Sequence, residues 1–191
     1  MGILQMNEIY SFDNVFYDRN CDYIIDNFGY GFKPSKVAGK NIVGYRVAED
    51  VWIQQVNDPI IFAWESIVEY FTNVPRSNFE WPHLVKYEEG CEYKEHHDYF
   101  HKGTKYYYQS MKIAGQRTHT AILYLNDDFT GGETFFKMRD LTVKPKKGSI
   151  CVWRNTDKAG FLLQSTLHAG LPVTSGIKYI LVSWVRELPF R

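Results

Sequence analysis

His96 and Asp98, two residues apart, are the first pair in this chain whose chemistry could go beyond packing. Side chains alternate along a strand, so the two would project from one face and bring an imidazole nitrogen and a carboxylate oxygen to a single metal ion. Alone the pair is weak evidence, because 6 His among 191 residues give roughly 0.35 such pairs by chance in a chain of this make-up. The bland reading is a surface strand with a His–Asp hydrogen bond. Lys178 is the second residue of interest. If it points inward, Ile180, Val182 and Trp184 share its face by the strand period; the bland reading is a solvated lysine at a strand end.

These residues need a scaffold, and the hydrophobic pattern predicts one in two parts. Residues 18–27 carry Cys21, Ile24 and Ile25 at helical spacing, with Phe28 following and Gly29 as a stop. A second helix is expected to start at Asn57-Asp58-Pro59, a cap followed by a first-turn proline. Its stripe is Ile60, Ile61, Trp64, Ile67, Val68 and Phe71, and it ends before Pro75. Between the two, segment 34–46 is polar and glycine-containing, as a mobile lid would be. From residue 79 onward, runs at 84–87, 118–125, 134–136, 149–153 and 179–185 are rich in β-branched and aromatic residues. Turn residues such as Gly131-Gly132 and Lys147-Gly148 separate them. The expectation is one domain over residues 1–191: a helical support and lid (1–78), then a double-stranded β-helix, or jelly roll, at 79–191. The fold class is α+β, mostly β, with the N-terminal helices packed outside.

Composition removes several function classes. Lys plus Arg equals Asp plus Glu at 22 each, so the basic field that nucleic acid requires is missing. Cys21, Cys91 and Cys151 are odd in number and fit neither a disulfide framework nor a zinc spacing, which points to a reducing compartment. The start of the chain shows no signal-peptide pattern, and no apolar run approaches a membrane span. A cytoplasmic protein without membrane or nucleic-acid partners is expected; the oligomeric state is open.

Longer context gives the His-x-Asp pair its meaning. The run Tyr87-x-x-Gly90-x-x-Tyr93-x-x-His96-x-Asp98 resembles that of the prolyl 4-hydroxylases. Gly115-Gln116-Arg117, Tyr124, Gly131-Gly132-Glu133-Thr134, Leu167-His168-Ala169-Gly170 and Lys178 follow in that family's order. The resemblance implies an iron(II)- and 2-oxoglutarate-dependent dioxygenase with His96, Asp98 and His168 as metal ligands. Two imidazoles and a carboxylate on one face of iron(II) leave three positions for the cosubstrate and O2. A buried 2-oxoglutarate carboxylate requires a cation, and Lys178 is the candidate. The family further implies Tyr87, Thr134 and Tyr124 around the cosubstrate. It places Tyr93, Arg117 and Trp184 around a proline-containing peptide, and ascorbate as reductant; Arg46, at the end of the lid segment, is expected to touch the same substrate. Tyr93 has the wrong strand parity relative to His96, so its assignment rests on the resemblance alone. The implied reaction is prolyl 4-hydroxylation with release of succinate and CO2. The same chemistry on a free amino acid, a lysyl residue or a small metabolite is the alternative, and a non-catalytic jelly-roll binding module a more distant one.

Overall fold

The computed structural model describes residues 3–6, 8–35, 48–55 and 57–191. Along the chain it contains β1 (Ile3–Met6), β2 (Ile9–Phe12), α1 (Asp18–Phe28), β3 (Lys33–Pro34), β4 (Glu49–Trp52) and α2 (Pro59–Thr72). There follow β5 (His83–Tyr87), β6 (Tyr93–His96), α3 (Lys105–Ala114), β7 (Arg117–Tyr124), β8 (Thr130–Gly131) and β9 (Thr134–Phe136). The last elements are β10 (Leu141–Val143), β11 (Ile150–Arg154), β12 (His168–Gly170), β13 (Val173–Ser175) and β14 (Lys178–Arg186).

The strands form a jelly roll. A large sheet runs in the order β1-β2-β11-β7-β14-β5-β4-β3, a smaller one in the order β10-β9-β12-β6, and β13 pairs with β8. All pairings are antiparallel. Strand alternation divides the large sheet's side chains between two cores. On β7 and β14, and just past the end of β7, Ala121, Leu123, Leu125, Leu181 and Val185 pack with Ile24, Ile61, Trp64 and Val68 of the helices. Their neighbours Ile122, Tyr124, Ile180, Val182 and Trp184 face inward, in one cluster with Phe136 of the small sheet. This double burial explains why these strands read as near-continuous apolar runs. Cys151 and Trp153, both buried, belong to the inner cluster.

Both expected helices form, α2 for the anticipated reasons, whereas Gly29 after α1 stays right-handed at φ −74° and leads into a 3-10 turn over Gly29–Gly31 rather than stopping the chain. Asp58 caps α2, accepting from the backbone N–H of Ile60 and Ile61 at 2.8 and 3.1 Å. Asn73 ends it in a left-handed conformation. Trp64 ties the helix to the sheet, its indole N–H donating to Ser183 Oγ at 2.9 Å. The first 78 residues, expected as helical support, also supply four strands to the large sheet. These runs of two to four residues are too short for a period to be read from sequence. The helix α3, between the His-x-Asp segment and β7, was likewise not expected. It is capped by Thr104, which accepts from Tyr107 N–H, but three successive tyrosines carry no helical period. The expected lid lies almost entirely outside the described residues. Among the described residues no helix is long and apolar enough to cross a membrane.

Candidate metal centre and cosubstrate pocket

His96 closes β6, His168 opens β12, and the two are cross-strand partners. Direct partners on antiparallel strands hold their Cβ atoms about 5 Å apart, and here the rings lie 4.2 Å apart centre to centre. Asp98 departs from the strand expectation: β6 ends at His96, and Asp98 stands in a bend beyond it. Its carboxylate still reaches both rings, with Oδ1 3.7 Å from His96 Nε2 and Oδ2 3.7 Å from His168 Nε2.

The donor atoms of the three residues lie within 4.8 Å of one another, the range that donors gathered around one ion require. Each histidine's Nδ1 faces a backbone carbonyl, Lys94 O for His96 at 2.8 Å and Thr166 O for His168 at 2.9 Å. Those carbonyls can accept from Nδ1 and so aim each Nε2 toward Asp98, the orientation that metal-ligating histidines require. Burial would raise the Asp98 pKa, but the charges of His168, His96 and Arg117 outweigh it and hold the acid down to about 2. The site is thus a carboxylate flanked by two imidazole nitrogens, a donor set that fits a divalent cation such as iron(II).

Tyr93 shares this pocket, against the parity argument. The pairing of β12 with β6 sets His168 against His96 but Gly170 against Tyr93, so one residue between them on β12, Ala169, opposes two on β6, Lys94 and Glu95. This β-bulge reverses the alternation. The Tyr93 ring consequently stacks on His96, 3.5 Å between centres and 19° from parallel.

At the other end of the pocket stands Lys178, 3% exposed. Its Nζ donates to Gly132 O at 2.6 Å and lies 5.3 and 5.8 Å from the ring centres of Tyr87 and Tyr124. Burial lowers its pKa to about 8, with Glu133 only partly opposing. Tyr124 Oη and Thr134 Oγ1 are hydrogen-bonded at 2.7 Å, and burial raises the tyrosine pKa well above 10, keeping its O–H as a donor. Tyr87, Thr134 and Lys178 line one pocket with Tyr93, His96, Asp98, His168 and Trp184; Ile122, Ile180 and Val182 supply its apolar wall. Lys178, Ile180, Val182 and Trp184 therefore share an inner face, as the strand period predicted.

Arg117 is not among the pocket-lining side chains. Its guanidinium grips Glu80 through two hydrogen bonds of 2.8 and 2.7 Å and stacks on Trp184 at 3.8 Å, so it borders the pocket from behind that indole. Arg46 lies outside the described residues. Sequence reasoning missed Glu80, which also accepts from Arg186, and read Gly132 as a turn and motif residue, not as the carbonyl that accepts from Lys178. It also missed Thr120, which donates to Asp98 Oδ2 at 2.9 Å. A threonine within a β-rich run has no mark in sequence that separates it from other strand threonines.

Comparison with known proteins converges on one family. The 2OG-Fe(II) oxygenase superfamily pattern matches residues 82–186. The chain is 31% identical over 188 residues to a putative prolyl 4-hydroxylase of Acanthamoeba polyphaga mimivirus, covering 96% of this chain and 76% of that protein. It is 34% identical over 142 residues to prolyl 4-hydroxylase 1 of Arabidopsis thaliana, but spans only 48% of that protein's length. Among solved structures, the 2OG complex of a viral collagen prolyl hydroxylase from Paramecium bursaria chlorella virus 1 superposes with a TM-score of 0.78. Identity there is 27%, over 95% of this chain and 97% of the other. A Trichoplax adhaerens prolyl hydroxylase, in complex with a hypoxia inducible factor peptide fragment, shares the fold with a TM-score of 0.69 at 15% identity, over 95% of this chain and 84% of the other.

Proposed function

The chain belongs to the prolyl 4-hydroxylases of the 2OG-Fe(II) oxygenase superfamily, and on that premise we propose that it hydroxylates prolyl residues of a peptide or protein. His96, Asp98 and His168 would hold iron(II). Bound iron supplies the coupling of 2-oxoglutarate decarboxylation to insertion of one atom of O2 into a C–H bond, with succinate and CO2 as co-products. The observation that carries the reading is the convergence of three donor groups and one buried ammonium on a single apolar pocket.

The protein's part is orientation and exclusion of water. Lys178 would pair with the far carboxylate of 2-oxoglutarate, a charge-assisted bond about twice as strong as a neutral one. Thr134 and Tyr87 line that end, with Tyr124 outside the lining and hydrogen-bonded to Thr134, and would keep the cosubstrate's long axis directed at the metal ligands. Ile122, Ile180 and Val182 keep the space between apolar, so the charges at either end act through a low dielectric. Tyr93, stacked on His96, and Trp184, with Arg117 stacked on its indole, line the same pocket and would contact the prolyl ring. Ascorbate would serve as reductant, and the three free cysteines suit a reducing, cytoplasmic setting. The proposal is tested by incubating proline-containing peptides with the protein, iron(II), 2-oxoglutarate and ascorbate. Mass spectrometry should find peptide gaining one oxygen in step with succinate. Succinate without peptide oxidation across a broad peptide set would set aside the prolyl assignment.

A further inference from the structure

Two residues with no role so far, Thr120 and Asn155, form a buried relay to Asp98. Both are essentially sealed from solvent, at 0% and 1% exposure. Asn155 Nδ2 donates to Thr120 Oγ1 at 2.9 Å, and Thr120 Oγ1 donates to Asp98 Oδ2 at 2.9 Å. The polarity of the chain is forced by chemistry. A carboxylate that ligates a cation offers only lone pairs, so the Thr120 proton must point at Asp98. The Thr120 oxygen is then left to accept, and only the nitrogen of the Asn155 amide can donate.

The relay has a visible cost. Asn155 Oδ1 is buried without a protein partner among the described residues, a state that ordinarily costs about 1–3 kcal/mol. Turning the amide would set its oxygen against Thr120 Oγ1 and take the proton away from Asp98. The unpaired carbonyl is what a fold tolerates when the donor direction matters.

We propose that Thr120 and Asn155 are positioning residues that occupy Asp98 Oδ2 and so present Oδ1 as the single carboxylate donor to the metal. This rests on the metal-site reading above. A carboxylate bound through both oxygens would take a fourth coordination position, and the reaction needs three left open. The relay prevents that by engaging one oxygen before any ion arrives.

The test titrates the full chain with cobalt(II), a spectroscopically visible divalent ion, following affinity and the visible ligand-field spectrum, with near-ultraviolet circular dichroism as the check of folding. Thr120→Val keeps the volume and removes the donor; affinity should fall about 10- to 100-fold, the usual effect of losing an outer-sphere partner, and the spectrum should change. Thr120→Ser keeps the hydroxyl and should restore both. Asn155→Asp has the same shape but accepts rather than donates, drawing the Thr120 proton away, and should behave like Thr120→Val; it carries the test if the valine variant does not fold. A purely structural role would leave cobalt(II) affinity and spectrum unchanged in the folded Thr120→Val and Asn155→Asp proteins, and that result overturns the proposal. His96→Ala serves as control: cobalt(II) binding to the wild type that survives in this variant would instead overturn the metal site itself, and the relay's role with it.

Discussion

Replacing Lys178 by methionine should move stability and cosubstrate affinity in opposite directions. The ammonium is buried beside one carbonyl and two aromatic rings. Its depressed pKa of about 8, against about 10.4 for a free lysine, means that the folded protein pays to keep it charged. The unfolded chain holds this proton up to about pH 10.4 and the folded chain releases it from about pH 8. Wild-type stability should therefore climb with pH across that window. At neutral pH the burden is about 3 kcal/mol, taking about 1.4 kcal/mol per pKa unit. Lys178→Met, of similar length and without charge, should recover up to that amount and lose the pH-dependent climb, as urea denaturation at several pH values would show. Its affinity for 2-oxoglutarate should fall in contrast. Stranding one member of a buried ion pair costs about 3–5 kcal/mol, or roughly two to three and a half decades. In the wild type, 2-oxoglutarate affinity should be steady below about pH 8 and decline above it, as the lysine loses its proton. Lys178→Met with unchanged cosubstrate affinity and lowered stability would refute the reasoning, because it would describe a solvated lysine that serves only packing.

Three further outcomes follow from the geometry. Gly132→Ala places a side chain on a backbone at φ +67° and 3.1 Å from Lys178 Cδ, so 2-oxoglutarate affinity should fall several-fold while cobalt(II) affinity holds; calorimetric titration of both ligands separates the two. Glu80→Ala takes the shared carboxylate from the half-buried Arg117 and from the buried Arg186, which keeps only the Gly115 and Ser110 carbonyls, and should cost up to about 3–5 kcal/mol in chemical denaturation. Burial pushes the Cys21 thiol up to about 12 and that of Cys151 further still, while Cys91 is partly exposed. Brief iodoacetamide treatment of the native protein should therefore modify Cys91 alone by mass spectrometry, and all three after unfolding.

What could be read from sequence was what periodicity or order along the chain can carry. The α2 cap at Asp58-Pro59 and the inward face of Lys178, Ile180, Val182 and Trp184 were legible because each follows from a local repeat or a capping rule. The convergence of His96, Asp98 and His168 was legible only through the spacing of motifs, since the His96–His168 pairing joins strands 72 positions apart. Tyr93 shows where period-two reasoning fails: one bulge residue reverses every parity beyond it, and nothing in residues 93–96 announces it. The Thr120–Asn155 relay and the Glu80 clasp were hidden for another reason. They join residues 35 and 37 positions apart through hydrogen bonds that any strand threonine or acid could make, and only the folded register selects the partners.

The central claim, oxygen insertion driven by iron and 2-oxoglutarate at the His96–Asp98–His168 site, is tested most directly with isotopically labelled dioxygen. Protein loaded with iron(II) is given 2-oxoglutarate, ascorbate and a proline-containing peptide under labelled O2, beside an Asp98→Ala control. The expected result is one labelled oxygen atom in the peptide's prolyl residue and one in succinate, in equal amounts, with neither product from the control. Label absent from both products in the iron-loaded wild type, or equal labelling in the Asp98→Ala control, would contradict the assignment.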